Sequence, residues 1–466
     1  MGSPAPRDDQ YPVTNFPPAA ERTAEMPMLW DEDHLKLINT CIRSESLYEL
    51  YLQLPRLAND LENNQTLKDN KFSVVDTVNA LRNCDWAMCE LLHSMPPKVI
   101  TSIVKNTIAY DNEQRDLPGF EIPNHKNAEE IPGVYVIGIS LSKENGCFLN
   151  RREMELLIEH IEGYIEGYYA YVKYQENLSE KGLAFARTCL SAEESKAYRL
   201  MKGIDDKAGG VQTKSPAFIT KDEEVPRIQA LVKTLKAMCD PSLDPTGRVR
   251  MIQSPLYVGC SKSLADRTKI YNQHSLRSIN KPLGITLASL KKLNLAYKLH
   301  VVCVIRTWKS DQLPLAEQLV TTLAGSLVYQ HGFNATEAGG TGFNTVKSME
   351  SLKENTVYVI YRVQHLLTNV KQSLFDIEIR TRFLDDLNIV EGQVVEIKET
   401  MELCEKELND LPPGFQWNET LSEIEQLVQD LKKVLKDKEE ALRFWNLVQE
   451  IQNIAIEETG QGIESL

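Results

Sequence analysis

A strand that passes directly into a helix is encoded by the stretch Leu256-Tyr-Val-Gly-Cys-Ser-Lys-Ser-Leu-Ala-Asp-Arg267. The apolar and aromatic run Pro255–Gly259 favours a short buried strand. The residues from Ser263 to about His274 favour a helix that carries several basic side chains. The fold predicted for the rest of the chain depends on these two elements.

A second buried strand is predicted from Ile131 to Ser140, where Pro132 and Gly133 precede a run rich in β-branched residues. Helical spacing dominates the long segment between this strand and Tyr257, as in Glu153–Tyr171 and Val225–Met238. The alternative first strand is Val249–Gln253. In that case Tyr135 would lie outside any site that contains Tyr257.

The two strands resemble the signature of the GIY-YIG nuclease superfamily. The first strand carries Gly133-Val-Tyr135, and the second carries Tyr257-Val-Gly259, followed by Ser261, Leu264 and Arg267 at the family's spacing. Downstream, the family has a metal-binding glutamate on the helix after its third strand and then an asparagine, and Glu317 and Asn334 stand at those places. The resemblance covers residues 131–140 and 255–340, about a fifth of the chain.

The resemblance implies a divalent-metal-dependent endonuclease acting on DNA or structured nucleic acid. Phosphodiester hydrolysis needs an activated water, neutralisation of charge on the phosphate and help for the leaving oxygen. The implied roles are a Mg²⁺ or Mn²⁺ ion on Glu317, phosphate oxygens on the guanidinium of Arg267, water activation by Tyr135 and a hydrogen bond from Tyr257. Water activation requires the pKa of Tyr135 to fall below its usual value of about 10.

Three further residues are candidates for the same site: Tyr271, His274 and Asn334. Tyr271 follows Arg267 by four positions, where the family often has histidine, and its hydroxyl is expected to reach a phosphate or the base. His274 lies about one helical turn further on. Asn344 belongs to a second Gly-Phe-Asn, so either asparagine can match the family's position.

Each of these residues also has an ordinary structural interpretation. Tyr135 and Tyr257, taken singly, are half-buried tyrosines of strands, and Arg267 is a solvated surface charge. Glu317 follows Pro314 in the first turn of a predicted helix, where the macrodipole favours an acid by roughly 0.3–1 kcal/mol. Only the joint spacing favours the nuclease interpretation.

Two neighbouring features are expected to be structural. Cys260 is interpreted as a small buried thiol. Ala338-Gly-Gly-Thr-Gly342 lacks the lysine and the strand order of a phosphate-binding loop, so it is predicted to be a turn.

The predicted fold class is α+β: a small antiparallel three-stranded sheet flanked by helices within a mostly helical, multi-domain chain. The expected regions are a disordered Pro-rich tail at 1–28, a helical domain at 29–128, a core at 129–365 with a helical insertion at 141–254, and an acidic helical region at 366–466. The expected elements after Tyr257 are helices at Ser263–His274, Thr286–Leu295 and Pro314–Gln330, and strands at Leu299–Trp308 and Thr356–Val363. Asp205–Lys221 is predicted to be an exposed loop, and Leu421–Trp445 a helical pair or coiled coil that can bind a protein partner.

Charge is distributed unevenly along the chain. The formal net charge is -14, which argues against a protein that coats nucleic acid along its whole length. Between Thr246 and Ser310, however, 12 basic residues face the single acid Asp266, whereas 382–466 carries 8 basic and 20 acidic residues. We therefore expect nucleic acid, with DNA favoured, to contact the middle segment, through Lys262, Lys269, Arg277, Lys291 and Lys292.

Composition excludes several classes of protein. The content of 42% hydrophobic and 25% charged residues is typical of globular chains. The 9 cysteines show no zinc-ligand spacing, so reduced thiols in a nuclear or cytoplasmic protein are expected. Membrane-spanning segments are not expected. The alternative functions left open are a GIY-YIG-like domain without turnover that binds nucleic acid or protein, and a helical scaffold.

Overall fold

The protein was analysed as a computed structural model. The structure describes residues 32–43, 46–83, 86–115, 117–122, 131–181, 189–210, 215–242, 244–272, 275–339, 346, 348–410 and a few positions between 426 and 438. The predicted tail at 1–28, His274, Asn344 and more than half of the predicted coiled coil lie outside the described residues.

The sheet consists of three antiparallel strands: β1 (Gly133–Leu141), β2 (Tyr257–Ser261) and β3 (Tyr297–Arg306). Their order is β2-β1-β3, so β1 is central. Tyr135 pairs with Gly259 on one side and with Cys303 on the other. The two signature strands are therefore neighbours, and the alternative in which Val249–Gln253 forms the first strand is wrong because β1 occupies that place.

Helices surround the sheet within the described residues, so the mostly helical α+β class is confirmed. Their bounds are α1 (Glu32–Arg43), α2 (Tyr48–Asn63), α3 (Gln65–Asp69), α4 (Val75–Asn83), α5 (Trp86–Ser94), α6 (Pro97–Val104), α7 (Ile108–Arg115), α8 (Arg151–Lys181), α9 (Ala192–Lys207), α10 (Val225–Met238), α11 (Leu264–Lys269), α12 (Lys281–Lys292), α13 (Gln312–Leu323), α14 (Met349–Thr356) and α15 (His365–Asn409). The segment between β1 and β2 contains α8, α9 and α10, as the predicted helical insertion requires. A long connection costs little extra loop-closure entropy, since that term grows only logarithmically with length.

Two glycines allow the signature strands to approach their neighbours. A Cβ on Gly133 would lie 2.3 Å from the carbonyl oxygen of Ile305 and 2.9 Å from a methyl group of Leu264. A Cβ on Gly259 would lie 2.5 Å from the hydroxyl oxygen of Tyr135. These distances are shorter than real Cβ contacts, so a side chain at either position would force its neighbours to move.

The predicted strand at Thr356–Val363 is wrong. Helix α14 continues into a π-helical turn at Val357–Arg362, in which Val359 is fully buried. The ring of Tyr358 lies 3.9 Å from the guanidinium carbon of the buried Arg306. A short run of β-branched and aromatic residues fits either element, and here these tertiary contacts select the helix.

The predicted exposed loop at Asp205–Lys221 is also wrong in part. Helix α9 extends to Lys207, and Asp205 is only 4% exposed. The carboxylate of Asp205 accepts hydrogen bonds from the hydroxyl of Tyr164 and from the backbone N–H of Ala217. Phe218 and Ile219 are buried as well, so the polar stretch covers apolar residues that belong to the core.

The chain divides into two compact units, Met1–Val370 and Lys371–Leu466. The first unit contains the N-terminal helices together with the sheet, and the amide of Asn369 at its end bonds to the carbonyls of His93 and Met95. The described part of the second unit consists mainly of α15. Across the described residues, none of the helices combines the length and the apolar character needed to cross a membrane.

Candidate functional site

Four of the predicted site residues lie in direct contact. The hydroxyl oxygens of Tyr135 and Tyr271 are 3.0 Å apart, and Nε of Arg267 donates to the Tyr135 hydroxyl at 3.2 Å. The ring of Tyr257 lies 6.4 Å from that of Tyr135 and 6.2 Å from that of Tyr271, measured between centroids. We call these four residues, Tyr135, Tyr257, Arg267 and Tyr271, the tyrosine–arginine cluster.

Local sequence places each member of the cluster. Tyr135 follows a register irregularity in β1. Ser263 caps α11 by accepting a hydrogen bond from the backbone of Asp266, which starts the helix close to β2 and brings Arg267 over the sheet. The predicted helix Ser263–His274 is shorter than expected, because α11 ends at Lys269 and a 3₁₀ turn at Ile270–Asn272 carries Tyr271.

The cluster is more deeply buried than a water-activating base requires. Tyr135 is 0% exposed, and Tyr271 and Tyr257 are 8% and 9% exposed. Burial raises the pKa of Tyr135, and this effect outweighs the opposing charge of Arg267. The pKa values of Tyr257 and Tyr271 are raised for the same reason. Water activation by Tyr135 would require a pKa shift in the opposite direction.

Glu317 lies on α13 beside the second signature strand. Its Oε2 accepts a hydrogen bond from Sγ of Cys260 at 3.1 Å and another from the backbone N–H of Gly339 at 2.9 Å. Helix α13 begins at Gln312, so Glu317 lies in its second turn rather than its first. The helix-macrodipole explanation for an acid at this position is weakened, because that effect is confined to the first turn.

Glu317 lies close to the cluster. Burial raises the pKa values of both Cys260 and Glu317, and this is the largest effect on each group. Arg267 is near enough to oppose it by lowering both pKa values. The carboxylate is thus an electrostatic neighbour of the cluster.

A divalent cation bound at Glu317 would have this single carboxylate as its protein ligand. No group of three or more His, Cys, Asp and Glu side chains gathers anywhere in the described part of the chain. Mg²⁺ is commonly held by one or two carboxylates while water and substrate phosphate fill its other positions. The hydrogen bonds from the thiol of Cys260 and the N–H of Gly339 both fall on Oε2, so Oε1 is the atom that such a cation would use.

Asn334 has a structural contact with the signature strand. Its side-chain oxygen accepts from the N–H of Val258 at 2.9 Å, and its side-chain nitrogen donates to the carbonyl of Val258 at 2.7 Å. The amide therefore replaces a neighbouring strand at the outer edge of β2. This contact gives the asparagine of Gly332-Phe-Asn334 a positioning function and accounts for both polar atoms of its side chain.

The positive charge of the middle segment is matched in part in the folded protein. Acidic side chains from outside the segment lie against five of its basic residues. These ion pairs are Arg250 with Glu144 and Glu153, Lys281 with Glu224, Lys298 with Glu113, Arg306 with Glu354, and Lys309 with Glu90. The excess counted along the sequence therefore overstates the charge that a polyanion would meet.

The five predicted nucleic-acid contacts have different surroundings. The guanidinium of Arg277 donates to the carbonyls of Asp205 and Gly209, so it is engaged in holding the end of α9. Lys269 is exposed and lies 3.3 Å from Asp266 on the same helix. Lys262 is half-buried just after β2, and Lys291 and Lys292 are half-buried in the last turn of α12. Lys262 and Lys269 are thus the predicted contacts nearest to Arg267 along the chain.

Two neighbours of Glu317 were not among the predicted site residues. Cys260 was expected to be only a buried thiol, and Gly339 only part of a turn. The sequence signal for Cys260 is its position directly after the Tyr257-Val-Gly259 motif. For Gly339, whose φ is +92°, the sequence carries no comparable signal beyond the run of glycines.

Comparisons with known proteins leave the family open: no family model, no curated protein and no solved structure matches this chain.

Proposed function

We propose that this chain is a GIY-YIG-type phosphodiesterase, an endonuclease that hydrolyses DNA or structured nucleic acid with the help of a divalent cation. The observation that carries the proposal is the hydrogen-bonded contact of Tyr135, Arg267 and Tyr271 beside Tyr257. Tyr135 comes from a strand that is distant in sequence from Tyr257, Arg267 and Tyr271, and the resemblance predicts that the two segments meet.

Arg267 is the residue that would bind the scissile phosphate. Its Nε–H bond to Tyr135 fixes the plane of the guanidinium, so the two terminal nitrogens are presented in one orientation. A fixed planar fork matches two phosphate oxygens, and it does so better than the point charge of a lysine. The side chain is half-buried, which strengthens its electrostatic attraction for an anion.

The tyrosines have different functions in this proposal. Tyr135 is fully buried, so it orients Arg267 and does not activate water. Tyr257 and Tyr271 retain some exposure, and their hydroxyls can hydrogen-bond an incoming water or a phosphate oxygen. Glu317 offers Oε1 to the cation, which when bound supplies Lewis-acid stabilisation of the phosphate and of the leaving oxygen.

A second candidate function is a GIY-YIG-like domain that binds nucleic acid without cleaving it. The raised pKa values of the three tyrosines favour this alternative. Both functions predict binding through Arg267. Only the first predicts strand cleavage that depends on added metal.

The experiment that tests the proposal measures cleavage of supercoiled DNA, of a branched DNA and of a structured RNA by the full chain with Mg²⁺ or Mn²⁺. Glu317→Gln should abolish cleavage and keep most of the binding, because an amide cannot supply the anionic oxygen that a divalent cation favours. Glu350→Gln is the matched control, since Glu350 lies exposed at the start of α14. Binding without cleavage of all three substrates by the wild-type chain would favour the second candidate.

A further inference from the structure

Cys260 touches the carboxylate to which the proposed function assigns the cation. Its Sγ donates to Oε2 of Glu317 at 3.1 Å, and the N–H of Gly339 donates to the same oxygen at 2.9 Å. Cys260 is half-buried and follows Gly259 in β2, which is hydrogen-bonded to the central strand. The thiol is therefore a donor held by a strand of the sheet.

Two donors on one carboxylate oxygen restrict how Glu317 can rotate. They approach from different segments, β2 and the loop after Asn334, so the orientation of the carboxylate is set by both. The backbone N–H of Cys260 also hydrogen-bonds the carboxylate of Glu317. A ligand held in one orientation before the cation arrives loses less entropy on binding.

We propose that Cys260 is a positioning residue for the divalent cation: its S–H holds Oε2 of Glu317 so that Oε1 is presented to Mg²⁺ or Mn²⁺. This inference rests on the proposed function. It adds that the residue directly after the Tyr257-Val-Gly259 motif tunes the affinity of the site for its metal. A thiol suits this task because it is a weak donor and leaves most of the carboxylate's charge for the cation.

The test is a titration of the full chain with Mn²⁺, followed by electron paramagnetic resonance of the free ion, together with the Mg²⁺ dependence of cleavage. Cys260→Ala should weaken Mn²⁺ binding about five- to tenfold and raise the Mg²⁺ concentration for half-maximal cleavage by a similar factor. Cleavage at saturating Mg²⁺ should stay close to the wild-type rate. Cys260→Ser keeps a donor and should restore metal affinity, which a role in packing alone would not do.

Cys404→Ala is the matched control, because Cys404 lies on α15 in the second unit. Equal Mn²⁺ affinity of Cys260→Ala and the wild type, with Glu317→Gln weaker than both, would overturn this inference and leave the metal site standing. Equal affinity of Glu317→Gln and the wild type would overturn the metal site and this inference with it. Loss of affinity in Cys260→Ala with recovery in Cys260→Ser supports the proposal.

Discussion

Single atoms decide the geometry of the tyrosine–arginine cluster. The hydroxyl oxygen of Tyr135 lies 2.5 Å from the place that a Cβ of residue 259 would take, and it receives a hydrogen bond from Arg267. The glycine, the tyrosine and the arginine of the signature are therefore parts of one contact. The spacing of the signature reflects this packing as well as the chemistry proposed for it.

The first prediction concerns that contact. Gly259→Ala should destabilise the first unit by roughly 1–3 kcal/mol, because the new methyl group overpacks the space held by the Tyr135 hydroxyl. Gly392→Ala is the comparison, since nothing lies within 4 Å of a Cβ at that position in α15. That change should stabilise α15 by about 0.5–1 kcal/mol. Denaturant unfolding measures both, and equal effects of the two changes would contradict the packing described for Tyr135.

The second prediction concerns alkaline pH. Burial raises the pKa values of Tyr135 and Tyr271 above the value of about 10 expected in the unfolded chain. A tyrosine whose pKa is higher in the folded state contributes its full stabilisation below the pKa of the unfolded state. This stabilisation is lost as the pH rises through the pKa of the folded state. Unfolding free energy should therefore fall above about pH 10, and less so in Tyr271→Phe. Absorbance of ionised tyrosine at high pH follows the titration; normal titration of both residues in the folded protein would contradict their burial.

At the scale of elements, the edges of the sheet are closed by groups that are not strands. Asn334 pairs with both backbone groups of Val258 on the outer side of β2. On the outer side of β3, Phe120 forms a single bridge to Cys303. Short edges that are covered in this way limit pairing with other chains and fix where β2 lies.

The third prediction follows from the edge of β2. Asn334→Ala should cost about 2–4 kcal/mol, because it leaves a buried N–H and a buried carbonyl of Val258 without partners. Asn334→Asp should cost less than the alanine change at a pH where the carboxyl is protonated, because one oxygen then accepts the N–H of Val258 and the O–H donates to its carbonyl. Thermal unfolding measures both variants. A loss below about 0.5 kcal/mol in Asn334→Ala would contradict the edge-closing function of this residue.

The sequence was sufficient for the elements whose pattern is long or strongly marked. The strand around Tyr135, the strand around Tyr257 and the helix Val225–Met238 were all predicted, because burial and period agree there. The strand predicted at Thr356–Val363 is a helix, since the stacking of Tyr358 on Arg306 is a tertiary contact that no local pattern contains. The contact of the Cys260 thiol with Glu317 could not be predicted from local sequence, because Glu317 comes from a distant helix.

At the scale of the whole molecule, folding redistributes charge. Counting charged residues along the sequence indicates a strongly basic region between Thr246 and Ser310. In the folded protein, acidic residues of other segments pair with Lys281, Lys298 and Lys309, among others. Linear counts cannot show this, because ion-pair partners are far apart in sequence. A nucleic acid would therefore be recognised by few phosphate contacts near Arg267, and the affinity should fall only modestly with added salt.

The most direct test of the central claim is the single-turnover rate of Mg²⁺-dependent nucleic-acid cleavage in the wild-type chain and in Arg267→Lys. Arg248→Lys is the matched control, because Arg248 is exposed in the same basic segment. We predict a fall of roughly 100-fold in Arg267→Lys, with binding reduced less than the rate, since a point charge replaces the oriented fork. Arg248→Lys should retain the wild-type rate. Equal cleavage rates for Arg267→Lys and the wild type would contradict the assignment of the tyrosine–arginine cluster as the active site.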